Sequence, residues 1–493
     1  MPEECKRRPR VKPIDRKQML VCPIDVEKLI EQNHTARWIW EFVGELDLSD
    51  YYDDIQAVEG EAGRSAFDPQ LLISLWLYAY SQGIGIAREI ARRCDFDPAF
   101  QWLTGMQPVN YHTLADFRIL HGEKLDDLFK QSLAVLDSEG LIELKRVLQD
   151  GTKISASAGR DSFHRENKIR VHLELAEQLL AEMEQQNGQG ESRRSQVASQ
   201  RAVEKRKESL QKALEEFKKL PKTTVRKKEM RVSETDPDAR IMKQPGGGCF
   251  PAYNAQASVE SKNGFIVGVH ISQSASDFEQ LRPGLESVSE HTGATPQETV
   301  VDSGYTSKKN IISLSEKGIK MIGPLLPQSA SAGQFEKRGI DPGFRTDAFR
   351  FDEENKRYIC PAGKELSYVS TRKGKASIEH IYRASASDCR ICIFREKCCG
   401  KSKHPRRSLV RSEDLPAVVE FNQRMQTEQA KNAYKQRSQL MEFAFAWIKE
   451  KLGLRKFHVR GLKKAITEFL WVCLTYNIQQ WIRLRRKLSY STA

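Results

Sequence analysis

The chain has 493 residues, 39% of them hydrophobic, enough for roughly two to four packed domains and too apolar for a disordered chain. Its formal net charge of +13 suits a polyanionic partner, because each neutralised phosphate releases condensed counterions. No stretch approaches the ~18 apolar residues of a membrane span, and the opening Met-Pro-Glu-Glu-Cys-Lys-Arg-Arg lacks the apolar segment of a signal peptide. The expectation is a soluble, cytoplasmic protein.

In chain order, the basic, proline-bearing start gives way to helical spacing at Trp38, Ile39, Phe42 and Val43. Asp68-Pro69 opens a second helix, with Pro at its first position and Leu71, Leu72, Leu75, Trp76 and Tyr80 as its buried stripe. Ile86–Arg93 follows, and Asn110 caps a helix through Leu114, Phe117 and Leu120. A longer amphipathic run then ends at Gly140. Arg118, with Arg88, Arg92 and Arg93 on a preceding helix, fits a helix-turn-helix reader of DNA. A plain helical bundle with a solvated basic face fits equally well.

Val147-Leu148 predicts a short strand ending at Asp150-Gly151. Residues 167–219 predict two charged helical arms, split by Asn187-Gly-Gln-Gly190 into an inserted hairpin. From Arg201 to Arg231 the chain holds twelve Lys/Arg against five Glu. Two strands joined by Lys262-Asn263-Gly264 come next. After them the pattern predicts a helix over Asp277–Glu290, a buried strand Glu298–Val301 ending at Asp302, a helix Ser307–Lys317 and a strand at Ile319–Gly323. That order indicates a mixed α/β sheet. From Pro324 to about Arg411 no regular pattern is visible. One long helix is predicted from about Pro416 to Lys451, and a last apolar helix follows Gly461. Residues Lys449–Lys487 carry eleven Lys/Arg and two Glu, a second basic surface.

Three acidic stretches far apart in sequence carry candidate chemistry: Asp150, Asp302 and Glu442. Carboxylates at strand ends face the crevice of an α/β sheet. Glu442 lies at the margin of an apolar stripe of Met441, Phe445, Ile448 and Leu452, with Lys449 two turns on along nearly the same face. Three carboxylates can hold two Mg²⁺ ions ~3.5–4 Å apart, which supply an activated water and charge neutralisation for phosphodiester cleavage. Spacing alone leaves plainer roles open. Asp150-Gly could be a turn, Asp302-Ser-Gly a helix cap, and Glu442 a surface partner of Arg437 or Lys449.

These stretches resemble blocks of bacterial insertion-sequence DDE transposases, most closely the 1182-type family. The helical region from Phe67-Asp-Pro-Gln-Leu-Leu to Leu128-Phe129 resembles the family's N-terminal domain. Asp150-Gly-Thr-Lys-Ile-Ser-Ala, Tyr253-Asn-Ala-Gln-Ala and Val301-Asp302-Ser-Gly-Tyr305 resemble successive catalytic blocks. The Glu442…Lys449 helix, followed by Phe457-His-Val-Arg460-Gly461-Leu, resembles the block with the catalytic Glu. The resemblance implies an RNase H-like mixed-sheet core and dependence on Mg²⁺ or Mn²⁺. It also implies cleavage and strand transfer of DNA at terminal inverted repeats and target DNA, by a homodimer bound to DNA in the bacterial nucleoid.

Carried over by position, Asp150, Asp302 and Glu442 form the metal-binding catalytic triad. Tyr434, Arg437 and Lys449 match the DNA-contacting residues that flank the Glu, and Arg460 joins them. The chain departs from the family pattern in Phe443-Ala-Phe-Ala after Glu442, in Glu260 where Asp is expected, and in a longer gap between Arg437 and Glu442. A DNA-binding protein derived from such an enzyme and a nuclease that cuts without joining are the rival readings. The expected architecture is α/β. It has an arm and first helix (1–60), a helical DNA-binding domain (61–142) and a core split into 143–161 and 236–324. Between and after the core halves come a helical insertion (162–235), a Cys-containing insertion (325–412), the Glu442 helix (413–455) and a basic C-terminal helix (456–493).

Cys360, Cys389, Cys392 and Cys398 can supply four thiolates to a structural zinc. A set of reduced thiols in a loop domain is the alternative. Cys5, Cys22, Cys94, Cys249 and Cys473 read as isolated thiols, and His112, His121 and His458 as surface or satisfied residues.

Overall fold

Capping chemistry sets the N-terminal helices. Asp68, Asp97 and Asn110 each accept a hydrogen bond from the backbone N–H two residues on, opening the helices Pro69–Ser81, Pro98–Thr104 and Tyr111–Leu120. Pro69 and Pro98 occupy first-turn positions, where no amide donor is needed. Pro69–Ser81 is buried on nearly every face from Leu72 to Tyr80. The reason is tertiary: it packs between the Thr35–Gly44 helix and the long C-terminal helix Leu462–Ser491. The computed structural model describes residues 23–57, 65–185, 193–220, 230–244, 246–325, 332–374, 377–401 and 406–491. Cys5, Cys22 and the Asn187–Gly190 patch lie outside the described residues.

The central sheet has six strands. In space the order runs Ile266–Ser272, Cys249–Glu260, Arg146–Ser155, Glu298–Val300, Lys320–Ile322, with Arg240–Lys243 pairing the N-terminal half of Cys249–Glu260. The first three of that order are antiparallel neighbours, and the last three are parallel. This mixed α/β arrangement is consistent with an RNase H-like core. Lys262-Asn263-Gly264 makes the expected turn, with Gly264 at φ +79°. Glu260 accepts the backbone N–H groups of Lys262, Asn263 and Phe265, so it braces that turn.

Several elements differ from expectation. The strand bearing Asp150 does not end there. It runs Arg146–Ser155, because Cys249–Glu260 continues the ladder on its other edge and pairs Asp150 with Ala257. The helix expected from Asp277 begins at Leu281, leaving Asp277 in a loop. The long helix expected from Pro416 to Lys451 is two, Pro416–Gln426 and Glu428–Ala446. Thr427 leaves the helical region at ψ 144° and its side chain caps the second through Ala430 N.

The patternless insertion is ordered. It carries a five-stranded antiparallel sheet running from Arg350–Asp352 to Ser408–Asp414. Its strands hide from sequence inspection because few of their residues are fully buried. Along Glu365–Lys373 only Leu366 is buried, so no alternation appears. The helical insertion forms as expected, from Glu166–Gln185 packed on Arg193–Lys219. Each insertion has its own small core, while one continuous apolar core spans Ala36 to Ile482 and joins the N-terminal helices to the sheet.

Candidate active site

The parallel register pairs Arg146 with Glu298, Val147 with Thr299 and Leu148 with Val300. Two residues further along these strands stand Asp150 and Asp302, leaving the same end of the parallel pair. Asp150 is held above the ordinary carboxylate pKa, chiefly by burial. The charge of Arg437 opposes that rise and the charge of Asp302 adds to it. Arg437 Nη1 lies 2.7 Å from Asp150 Oδ2, and Asp150 Oδ1 accepts Gly151 N–H at 2.8 Å. Asp302 Oδ1 accepts Gly304 N–H at 2.7 Å, a local turn that fixes its side chain at the strand exit.

A third aspartate, which sequence reasoning missed, joins them. Asp277 Oδ1 accepts from Lys153 Nζ at 3.0 Å, Asn254 Nδ2 at 2.7 Å and Gln256 Nε2 at 2.9 Å. The buried Tyr305 hydroxyl donates to Gln256 Oε1. Burial first, then the charges of Asp277, Asp150 and Asp302, push the Tyr305 pKa up. A Cβ on Gly304 would lie 3.0 Å from Asp302 Oδ1 and 3.6 Å from Asp277 Cβ. A Cβ on Gly151 would lie 1.9 Å from Gln256 Nε2, so only glycine lets the strand pass this network. The missed signal was available: Asn254 and Gln256 are polar residues at i and i+2, on one face of a strand buried throughout this stretch.

The Glu428–Ala446 helix packs across the strands bearing Asp150 and Asp302 and the Lys320–Ile322 strand beyond. Glu442 is exposed on it, and its Oε1 accepts from Ser438 Oγ at 2.7 Å. Arg437 and Lys449 both reach the first core strand, at Asp150 and Thr152, and so bracket Glu442. Beyond Ala446 the helix widens to a π-turn over Trp447–Lys451, a distortion frequent at functional sites. Lys449 within it is half-buried, and burial lowers its pKa. Tyr434 lies beneath the Arg437 guanidinium, 5.9 Å from ring centre to Cζ. Arg460 is exposed, with Nε donating to Ser157 O at 3.1 Å.

Among the described residues, the oxygens of Asp150, Asp302 and Glu442 do not all lie within 4.8 Å of one another; His164, His172 and Glu234 meet that spacing. Two ions ~3.5–4 Å apart do not require every ligand to touch every other. The hard oxygen donors at the parallel strand ends suit divalent cations.

Arg118 is not where a DNA contact needs it. It is 7% exposed, lies 3.4 Å from Glu468 Oε1 and donates from Nη1 to Gly85 O at 2.7 Å. The helix face that presented it as a reader instead turns into the core against the C-terminal helix. Arg92 and Arg93 are paired with Glu89. His458 is satisfied by Glu468 at 2.7 Å, and His121 by Asp54 at 3.1 Å.

Cys360, Cys389, Cys392 and Cys398 line one small, mainly apolar cavity, and Cys399, next to Cys398 in the same cluster, lines it too. Gly363 at φ +74° turns the chain so that Lys364 N–H donates to Cys360 Sγ at 3.2 Å. Burial pushes the Cys398 thiol up to about 12. Five soft donors around one cavity fit zinc by their chemistry, although no three of these sulfurs fall within 4.8 Å of one another.

Comparison with known families adds two matches. Residues 359–482 match the model of the transposase DDE domain, and residues 24–120 match that of the transposase domain DUF772. These are domains of insertion-sequence DDE transposases. The first match spans the helix with Glu442, and the second covers most of the N-terminal helices. No curated protein and no solved structure matches the chain. The DDE domain carries with it DNA as substrate and a general dependence on divalent metal. No helix among the described residues is long and apolar enough to cross a membrane.

Proposed function

We propose that the chain is a 1182-type DDE transposase that cleaves DNA at the ends of an insertion sequence and joins those ends to target DNA. The observation that carries this reading is the parallel register that brings Asp150 and Asp302 out at one end of the sheet, beneath the helix bearing Glu442. Asp150, Asp302 and Glu442 would hold two Mg²⁺ or Mn²⁺ ions, which when bound supply an activated water or 3′-hydroxyl and neutralise phosphate charge. Arg437 holds the Asp150 carboxylate in place until metal competes for it. Lys449, Tyr434 and Arg460 line the approach for the DNA backbone, and phosphate contacts of this kind position DNA without reading its sequence. A homodimer on paired ends follows from the need to hold two ends together.

The test is a Mg²⁺-dependent reaction on DNA carrying the ends that flank the gene, with Glu442→Gln and Asp302→Asn beside the wild type. Nicked and joined products from wild type alone are expected, with DNA binding by Asp302→Asn intact. Nicked product without joined product would leave a nuclease. Equal product from wild type and Glu442→Gln would remove that residue from the site.

For the Cys-containing insertion we propose a structural zinc held by Cys360, Cys389, Cys392 and Cys398. Its apolar core has seven buried residues, a small one for five strands, and a metal bound only by the folded form stabilises it directly. Purified protein is expected to contain about one zinc per chain, and chelation to lower the melting temperature. Zinc-free protein with an unchanged melt on adding zinc would refute it.

A further inference from the structure

A concave pocket of about 640 Å³ opens on the Cys-containing insertion, lined by none of the core carboxylates. Its walls carry Lys337, Arg338, Arg383, Lys401, Arg406 and Arg407, and no carboxylate lines it. Among the described residues none of these six cations makes an ion pair. Elsewhere in the molecule arginine and lysine are repeatedly paired, as at Arg357, Arg372 and Arg240. Charge runs on proteins are commonly solvated convex faces. This cluster instead faces inward across a concavity, where like charges raise one another's energy and an anion relieves all of them.

The walls are built rather than draped. Lys401 N–H donates to Arg338 O at 2.9 Å, and Asp341 N–H to Lys397 O at 2.9 Å. A Cβ on Gly400, at φ +53°, would lie 2.0 Å from Arg338 O, so glycine alone permits that approach. Arg383 is paired in register with Ser408, and Ala384 N–H donates to Arg407 O at 3.0 Å. Arg407 is only 8% exposed. Its Nη1 and Nη2 donate to Cys398 O and Phe344 O, each at 3.0 Å, while its buried Nε has no partner. An unpaired buried guanidinium is costly unless an anion completes its surroundings.

We propose that this pocket binds the phosphate backbone of duplex DNA, making the Cys-containing insertion a second DNA-contacting surface. The inference rests on the reading of DNA as substrate. Six cations on three chain segments exceed what a single inorganic phosphate engages, and they suit a ligand with phosphates in series.

The experiment is fluorescence anisotropy of the full chain with a duplex oligonucleotide of unrelated sequence, across a salt series. Wild type is compared with Lys337→Gln/Arg383→Gln/Lys401→Gln/Arg406→Gln, all exposed positions. Each lost phosphate contact lowers the slope of log affinity against log salt by about 0.9, so a fall of roughly 2–4 is expected, with affinity at low salt reduced about tenfold or more. A charge-keeping Arg383→Lys/Arg406→Lys variant is expected to retain the wild-type slope, which separates charge from folding. Unchanged slope and affinity in the quadruple variant overturn the proposal. So does loss of inorganic phosphate binding with an unchanged DNA slope, which would make the pocket a small-anion site. If wild type yields no Mg²⁺-dependent product while the slope difference persists, the pocket stands and the catalytic reading falls.

Discussion

At the scale of single residues, Asp150 is governed by two opposed influences. Burial raises its pKa and the Arg437 guanidinium pulls it back. On the proposed reading Asp150 binds metal and must be ionised, so activity is expected to fall as pH drops through its folded-state pKa. Arg437→Ala removes the opposing charge, and the acid limb of the pH–rate profile is therefore expected at higher pH than in wild type. An unmoved limb with only a lowered plateau would show that Arg437 acts on DNA alone. Linkage has the matching sign. A carboxylate with a raised folded pKa costs stability above its unfolded pKa, so the variant's stability deficit should shrink as pH falls from the folded pKa towards the unfolded one and be gone below it. Asp277 shows what one chain position hides. Its donors Lys153, Asn254 and Gln256 come from two strands, and sequence order does not place them together.

At the scale of elements, the break at Thr427 matters more than the helix it interrupts. The cap lets Glu428–Ala446 start afresh and run over the sheet, while Pro416–Gln426 packs against the Lys308–Glu316 helix and the Lys320–Ile322 strand. Thr427→Ala removes the side-chain acceptor for Ala430 N–H and is expected to cost about 1 kcal/mol, read as a lower denaturation midpoint with an unchanged slope. An unchanged midpoint would mean that packing alone holds the helix start. Periodicity could not reveal this break, because both helices bury compatible stripes and Thr is no strong helix breaker. The insertion's strands escaped for the opposite reason. They are stabilised by pairing with one another, while few of their side chains are fully buried.

At the scale of the molecule, the N-terminal helices and the central sheet share one apolar core. A buried polar network fastens the N-terminal helices to the C-terminal helix. Glu468, fully buried, accepts from Tyr80, from His458 N–H at 2.9 Å, and from Arg118 at 3.4 Å. Replacing it by Gln leaves Arg118 buried without its counter-charge. The expected cost is about 3–5 kcal/mol, seen as a single cooperative unfolding transition at lower temperature. Two separated transitions would show instead that the helical region folds independently.

By itself the sequence determined the local elements and nominated the carboxylates of the proposed site. Proline and Asx caps, the Asn-Gly turn and helical periodicity act over a few residues and are written in neighbouring positions. The ordered blocks around Asp150, Asp302 and Glu442 carried the resemblance that the two family matches support. Tertiary structure alone decided which residues meet: Asp277 beside Asp302, Arg437 on Asp150, Arg118 buried in the core, and around one pocket six cations without an ion pair among the described residues. These depend on strand register and on backbone contacts across hundreds of residues. Long-range pairing is set by the packing of the whole core, and no local pattern encodes it.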